Sequence, residues 1–261
     1  MKHWLWFGII VLAAVLPLLV LTGYALAPGW SWPEVVPTRL SSRTLDFVVG
    51  QHVQISRSVN ASVAYSMCTV ALTLMLCIVP ARHLAFAQFP GKRLAEGLLL
   101  APALVPPMTF SMGVHMAFIH MGLVDTMAGV VLVLSTFSYP YMLRALVAGY
   151  QSFGMQYAQC AANLGAGRLR VLWQVELPLL IPAIIAGGTV VFLVSFSEYF
   201  LVFLIGGGRV PSFTGYLFPF LASSDRSTGA ALTLLFLLVP LGLFGLVELF
   251  VAHRARERGI G

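Results

Sequence analysis

Charge is what this sequence has least of: Asp, Glu, Lys and Arg supply 9% of its 261 residues, against about 25% in ordinary soluble domains. So few charges do not coat a water-soluble globule. The sequence also has no G-x-x-x-x-G-K-[ST] loop to cradle nucleotide phosphates and no G-x-S-x-G nucleophile elbow. No catalytic set is expected in it, and any ATP hydrolysis tied to it belongs on another subunit. Cysteine is scarce: Cys68 and Cys77 share one apolar run, Cys160 lies in a later polar connection, and there is no C-x-x-C pair. Neither a disulfide framework nor a zinc site is implied. His115 and His120 lack the H-E-x-x-H arrangement and make a poor metal pair, so no metal site is expected. The net charge of +6 is spread singly or in pairs between apolar runs, which argues against a nucleic-acid surface.

What is present is apolar length. Runs reaching the roughly 20 residues that cross about 30 Å of hydrocarbon predict an all-α integral membrane protein in the lipid bilayer. Six transmembrane helices are expected at about 4–26, 61–80, 94–114, 125–147, 183–206 and 229–251, forming one transmembrane domain over 1–261. The first run ends in Ala25-Leu26-Ala27, which resembles a signal-peptide cleavage site. Its apolar stretch exceeds a signal core and Pro28 follows, so it reads as a retained span. Residues 27–57, with Pro28, Pro33 and Pro37, read as a long external loop, and 115–124 as a short amphipathic or re-entrant segment. With the N-terminus inside, Lys2, Arg82, Lys92, Arg93, Arg144, Arg168, Arg170, Arg254, Arg256 and Arg258 face the cytoplasm. Only Arg39, Arg43, Arg57, Arg209 and Arg226 face outward, so ten basic residues oppose five and both termini are expected to be cytoplasmic.

Within the spans, Glu198 stands out, flanked by Ser195, Ser197 and Tyr199 in the fifth. An ionisable side chain there costs a few kcal/mol and should face protein or water. One reading sets Ser195, Ser197, Glu198 and Tyr199 along a solute pathway, where a carboxylate favours a small polar or cationic solute. The other makes Glu198 a helix-packing or hydrated carboxylate. Pro106-Pro107, near Thr109 and Ser111, should kink the third span, opening backbone carbonyls to a cavity or simply bending it. Glu248 is expected to snorkel or pair with Arg254. Met67, Met75 and Met108 read as packing residues.

The interval from Tyr150 to Pro178 is too polar to cross a bilayer but suits two short helices. The Gly165 and Gly167 region would permit a left-handed terminus and turn, and Pro178 and Pro182 fit the opening turns of the next helix. This segment resembles the cytoplasmic loop of the permease subunits of binding-protein-dependent ABC importers, the MetI-like family. Its pattern is Glu-Ala-Ala, three residues, Gly, nine residues, Ile-x-Leu-Pro. Here Gln159, Cys160 and Ala161 fill the first block, Gly165 follows at the family distance, and Val175, Glu176, Leu177 and Pro178 close it. Gln159 and Cys160 depart from the family's Glu and Ala, which alters docking contacts and not helix shape. Pro80-Ala81, Phe89 to Arg93, Leu104 to Pro107, Ser195 to Tyr199 and Gly206 to Arg209 resemble the branch that includes polyamine, thiamine, ferric-iron and phosphonate permeases.

The resemblance implies a permease subunit of the bacterial inner membrane, paired with a second permease chain or with its own copy. It also implies two ATPase subunits that carry ATP and magnesium, and an extracytoplasmic solute-binding protein. The loop would couple ATP use to transport. The rivals are a secondary transporter driven by an ion gradient, which should carry more intramembrane ionisable residues, and a membrane-embedded enzyme, which needs converging reactive groups.

Overall fold

The computed structural model describes residues 2–257 apart from Ser31, Trp32, Val35, Thr38 and Ser224, and without the side chains of Lys2, His3, Leu5 and residues 250–257. In chain order its helices are α1 (Lys2–Leu26), α2 (Arg43–Gly50), α3 (His52–Phe86) and α4 (Lys92–Leu100), which runs into a 3-10 turn at Ala101–Ala103. Next come α5 (Pro107–His120), α6 (Met127–Phe153), α7 (Gln156–Asn163) and α8 (Arg168–Val171). A π turn at Leu172–Glu176 leads into α9 (Leu177–Ser197), followed by α10 (Phe200–Gly206), α11 (Phe213–Ala222) and α12 (Arg226–Glu257). Among the described residues five helical stretches are long and apolar enough to cross a membrane, or six when the bent pair α4–α5 counts as one.

The expected external loop at 27–57 instead contains α2 and the start of α3, so the second span begins at His52. Three further differences from the expected spans have local causes. The third span is broken by 88° between Lys92–Ala103 and Pro107–His120. Pro106 precedes another proline, whose ring excludes the helical conformation before it, and it sits at φ −58°, ψ 127°. Residues 115–120, expected to form a separate segment, continue α5. The fifth span begins earlier than expected, because helix runs without interruption from Arg168 to Ser197, and it stops where Glu198 turns extended.

The chain forms two compact units, residues 1–60 with 212–261 and residues 61–211. In the first, α1, α2 and α11 pack on α12. Tyr24 and Trp30 pack tilted with ring centroids 4.6 Å apart, and Phe47 meets Phe220 edge-on at 5.5 Å. Arg43 reaches Asp225 at 3.1 Å. Glu248 is exposed, and Arg254, its expected partner, lies outside the described side chains.

In the second unit α6 and α9 form the main seam. Small residues let the two backbones approach: a Cβ on Gly187 would lie 2.8 Å from that of Ala145, and one on Gly149 would lie 2.5 Å from that of Ala183. One core cluster joins Cys77, Ala81 and Leu84 of α3 to Met142, Leu146 and Tyr150 of α6 and Leu180 of α9. A second joins Tyr65 to Val130, Leu134, Leu201 and Ile205. Along α3, Ser62, Ser66, Thr69 and Thr73 are buried at helical spacing. Thr69 and Thr73 donate their hydroxyls to the carbonyls of Tyr65 and Thr69, at 2.8 Å each.

Asp225 caps the start of α12. The Ser227 hydroxyl, then the Thr228 hydroxyl and N–H and the Arg43 guanidinium, hold its carboxyl below the ordinary 3.8, against partial burial that pulls it up. A carboxyl depressed in the fold stabilises it above the unfolded value and loses that contribution as pH falls through the folded one. Amide-exchange protection at Thr228, corrected for intrinsic rate, is therefore expected to fall as pH drops below 3.8. In Asp225→Asn that dependence should be flat; a slope equal to the wild type would assign the effect elsewhere.

Candidate functional site

The segment from Tyr150 to Pro178 is built on glycine at its turns. Helix α6 ends at Gly154 with φ +71°, and α7 carries Gln159, Cys160 and Ala161. Past Asn163 the chain closes in a Schellman motif: Gly165 N–H donates to the Ala162 carbonyl at 2.9 Å and Ala166 N–H to that of Ala161 at 3.1 Å. Gly165 sits at φ +85°, a conformation that costs other residues and not glycine. Gly167, expected to share the left-handed turn, is extended at φ −64°, ψ 156° and begins α8.

Pro178 lies in the opening turn of α9, as its position in the sequence suggested, although helical backbone already runs up to it from Arg168. It lies within the continuous stretch from Arg168 to Ser197, two residues past the end of the π turn at Leu172–Glu176. Proline lacks an N–H and its ring crowds the carbonyl four residues back, so a wider turn before it relieves both. Gln159, Cys160, Gly165 and Pro178 are exposed, while Ala161, Val175 and Leu177 are half-buried. Apolar side chains also point outward here, with Leu164 85%, Leu169 72% and Trp173 65% exposed.

Glu176 is the residue whose role was not singled out from the sequence. It is 2% exposed at the end of the π turn. Arg82 of α3 donates from Nε to its Oε1 at 2.8 Å, and Tyr150 of α6 donates its hydroxyl to Oε2 at 3.1 Å. One carboxylate thus ties three elements together. Beside it a cavity of about 430 Å³ opens between α3, α7 and the π turn, lined among others by Val79, Arg82, Met155, Gln159, Arg168 and Glu176. The signal available in the sequence was a lone carboxylate in an apolar stretch just before Leu-Pro, but its partners lie 94 and 26 residues away.

The second candidate group spans a helix break. Ser195 is fully buried and its hydroxyl has no hydrogen-bond partner among the described residues. Ser197 is exposed and donates to the Leu193 carbonyl at 2.7 Å. The Glu198 carboxylate accepts the Leu201 N–H at 3.1 Å, capping α10 where the first amides of a helix lack partners and a negative charge is favoured. Tyr199 stacks on Phe203 at 5.7 Å. Beyond α10, Gly207 and Gly208 take φ +52° and +74°, and a Cβ on Gly207 would overlap the Asp125 carboxylate. Asp125 donates its N–H to the Ile205 carbonyl at 2.7 Å. Removing the cap by Glu198→Ala is expected to cost about 1 kcal/mol and speed amide exchange at Leu201, while Glu198→Gln keeps an acceptor and stays near wild type. Equal exchange at Leu201 in the Ala variant would strip Glu198 of the capping role.

Comparison with known proteins agrees with this architecture. Residues 3–256 match the family described as "Binding-protein-dependent transport system inner membrane component". The molybdenum transport system permease protein ModB of Escherichia coli K12 is 32% identical over 157 residues, covering 55% of this chain and 68% of ModB. The putative 2-aminoethylphosphonate transport system permease protein PhnU of Salmonella typhimurium LT2 is 28% identical over 262 residues, 90% of each chain. A chain in the crystal structure of a bacterial ABC transporter involved in importing the acidic polysaccharide alginate superposes with a TM-score of 0.72 over 95% of this chain and 94% of that one. At 15% identity that likeness shows the fold alone. The chain therefore belongs to the inner-membrane components of binding-protein-dependent transport systems, the MetI-like ABC importer permeases, which are multi-pass translocation subunits and not enzymes.

Proposed function

We propose that the segment Gln159 to Pro178 is the coupling element of this permease, docking on a separate ATPase subunit and passing its motion to the membrane helices. The observation that carries the reading is the complete family spacing of Gln159-Cys160-Ala161, Gly165 and Val175 to Pro178 on a helix, a Schellman turn and a second helix. Exposed Leu164, Leu169 and Trp173 give that element an apolar surface suited to burial against a partner. On this reading the loop and both termini face the cytoplasm, in keeping with the ten-to-five bias of Lys and Arg.

The working assembly pairs this chain with a second permease chain or its own copy, two ATPase subunits using ATP and magnesium, and an extracytoplasmic binding protein. ATP binding closes the ATPase dimer and draws the coupling elements together, opening the pathway outward; hydrolysis resets it. Solute crosses inward once per cycle. The carried solute is a small polar molecule of the class to which phosphonates belong, supported by the relative named for 2-aminoethylphosphonate that matches along 90% of both chains. Ser195, Ser197, Glu198 and Tyr199 remain the pathway candidates of this reading. Because Glu198 already accepts a backbone N–H, its charge gives little support for a cationic solute.

The test is Gly165→Pro in the complex reconstituted with its ATPase and binding protein, supplied with the solute that the binding protein retains. Proline cannot adopt φ +85°, so the turn is lost at a cost of about 3 kcal/mol or more. Membrane insertion should persist while solute-stimulated hydrolysis and uptake separate from one another. Unchanged stimulation and uptake would remove the coupling role.

A further inference from the structure

We infer that Glu176, gripped by Arg82 and Tyr150, is the positioning residue that makes the coupling segment and the membrane helices behind it move as one body; this rests on the coupling reading above. The π turn at Leu172–Glu176 is the mechanically weak point of the path from α7 to α9. Its wide turns bond less regularly, and Pro178, two residues past it, supplies no N–H to the ladder. Helices bend at such places. A push on α7 would be absorbed there as bending unless something braces the turn.

The Glu176 carboxylate braces that turn against α3 and α6. Its two oxygens take donors from two different helices, Arg82 Nε of α3 at 2.8 Å and the Tyr150 hydroxyl of α6 at 3.1 Å. Both helices continue deep into the second unit, where Cys77 and Ala81 of α3 and Met142 and Leu146 of α6 share one core with Leu180 of α9. Packing alone does not call for a carboxylate at this position. Burying an ion pair is costly, and an apolar side chain of similar volume often serves stability as well or better. What the ionic arrangement adds is direction, since two charge-assisted or hydroxyl bonds of fixed geometry resist sliding in a way that apolar contact does not. Arg82 keeps 45% of its side chain exposed, so its own desolvation is limited while Glu176 stays at 3%.

The experiment reads motion in the assembled permease–ATPase complex without needing the transported solute. Cys68, exposed on α3, carries a nitroxide after Cys77 is changed to Ser and Cys160 to Ala, the residue the family pattern has at that position. Spectra are compared with and without ATP and vanadate, and trapped nucleotide is measured separately. In the otherwise wild-type chain, trapping should change the Cys68 spectrum. Glu176→Leu should cut that change about tenfold although nucleotide is still trapped, as loss of a charge-assisted bond predicts. Arg82→Met should cut the response too, although it leaves the buried Glu176 carboxylate without its cation. Tyr150→Phe, which removes the other donor and keeps the ion pair, should weaken the response and serves if neither variant assembles. Arg82→Lys, which keeps one charged donor, should restore the response. A full response in Glu176→Leu or Arg82→Met would overturn the positioning role, even if Gly165→Pro abolishes the response and so upholds coupling. No response in the wild-type chain despite trapped nucleotide would overturn coupling itself and this inference with it.

Discussion

Hydrocarbon offers the backbone no hydrogen-bond partner, and that single constraint organises this protein. Continuous helix is the inexpensive solution, and α1, α3, α6, α9 and α12 follow it. Every departure then needs a replacement partner from within the chain. Thr126 accepts the Gly129 N–H at 3.0 Å where α6 begins, and Glu198 accepts the Leu201 N–H where α10 begins. Ser212 accepts the Gly215 N–H at 3.0 Å at the start of α11. The candidate functional groups at Gly165, Glu176 and Glu198 all sit at such departures.

Two kinds of backbone break do different jobs. Pro106 turns the chain sharply, and its extended conformation follows from the proline after it. The π turn before Pro178 absorbs a missing N–H while the helix continues from Arg168 to Ser197. That stretch carries the second half of the family motif at one end and Ser195 near the other.

Much of this was legible in the residues themselves. Apolar run length gave the helical membrane class, because the bilayer sets a length that few other environments demand. Pro106-Pro107 announced a bend, but its 88° depends on which neighbours receive α5, which no local pattern records. The left-handed turn at Gly165 was readable from spacing, whereas Gly167 looked equivalent and is extended. Both glycines permit the same conformation, and only the hydrogen bonds decide which one adopts it. Glu176 lay beyond local reading altogether: its meaning comes from an arginine and a tyrosine on other helices. Glu198 was visible as an unusual carboxylate, yet its bond to the Leu201 amide required knowing that helix stops at Ser197.

The turn at Gly165 is closed by main-chain atoms alone, through the amides of Gly165 and Ala166 and the carbonyls of Ala162 and Ala161. A shape defined that way is indifferent to the lettering around it. Gln159 and Cys160, outward-facing substitutes for the family's Glu and Ala, leave the hinge intact while rewriting its outer surface. On the proposed docking role, recognition of an ATPase subunit is free to diverge at these side chains, independently of the backbone turn on which they are mounted.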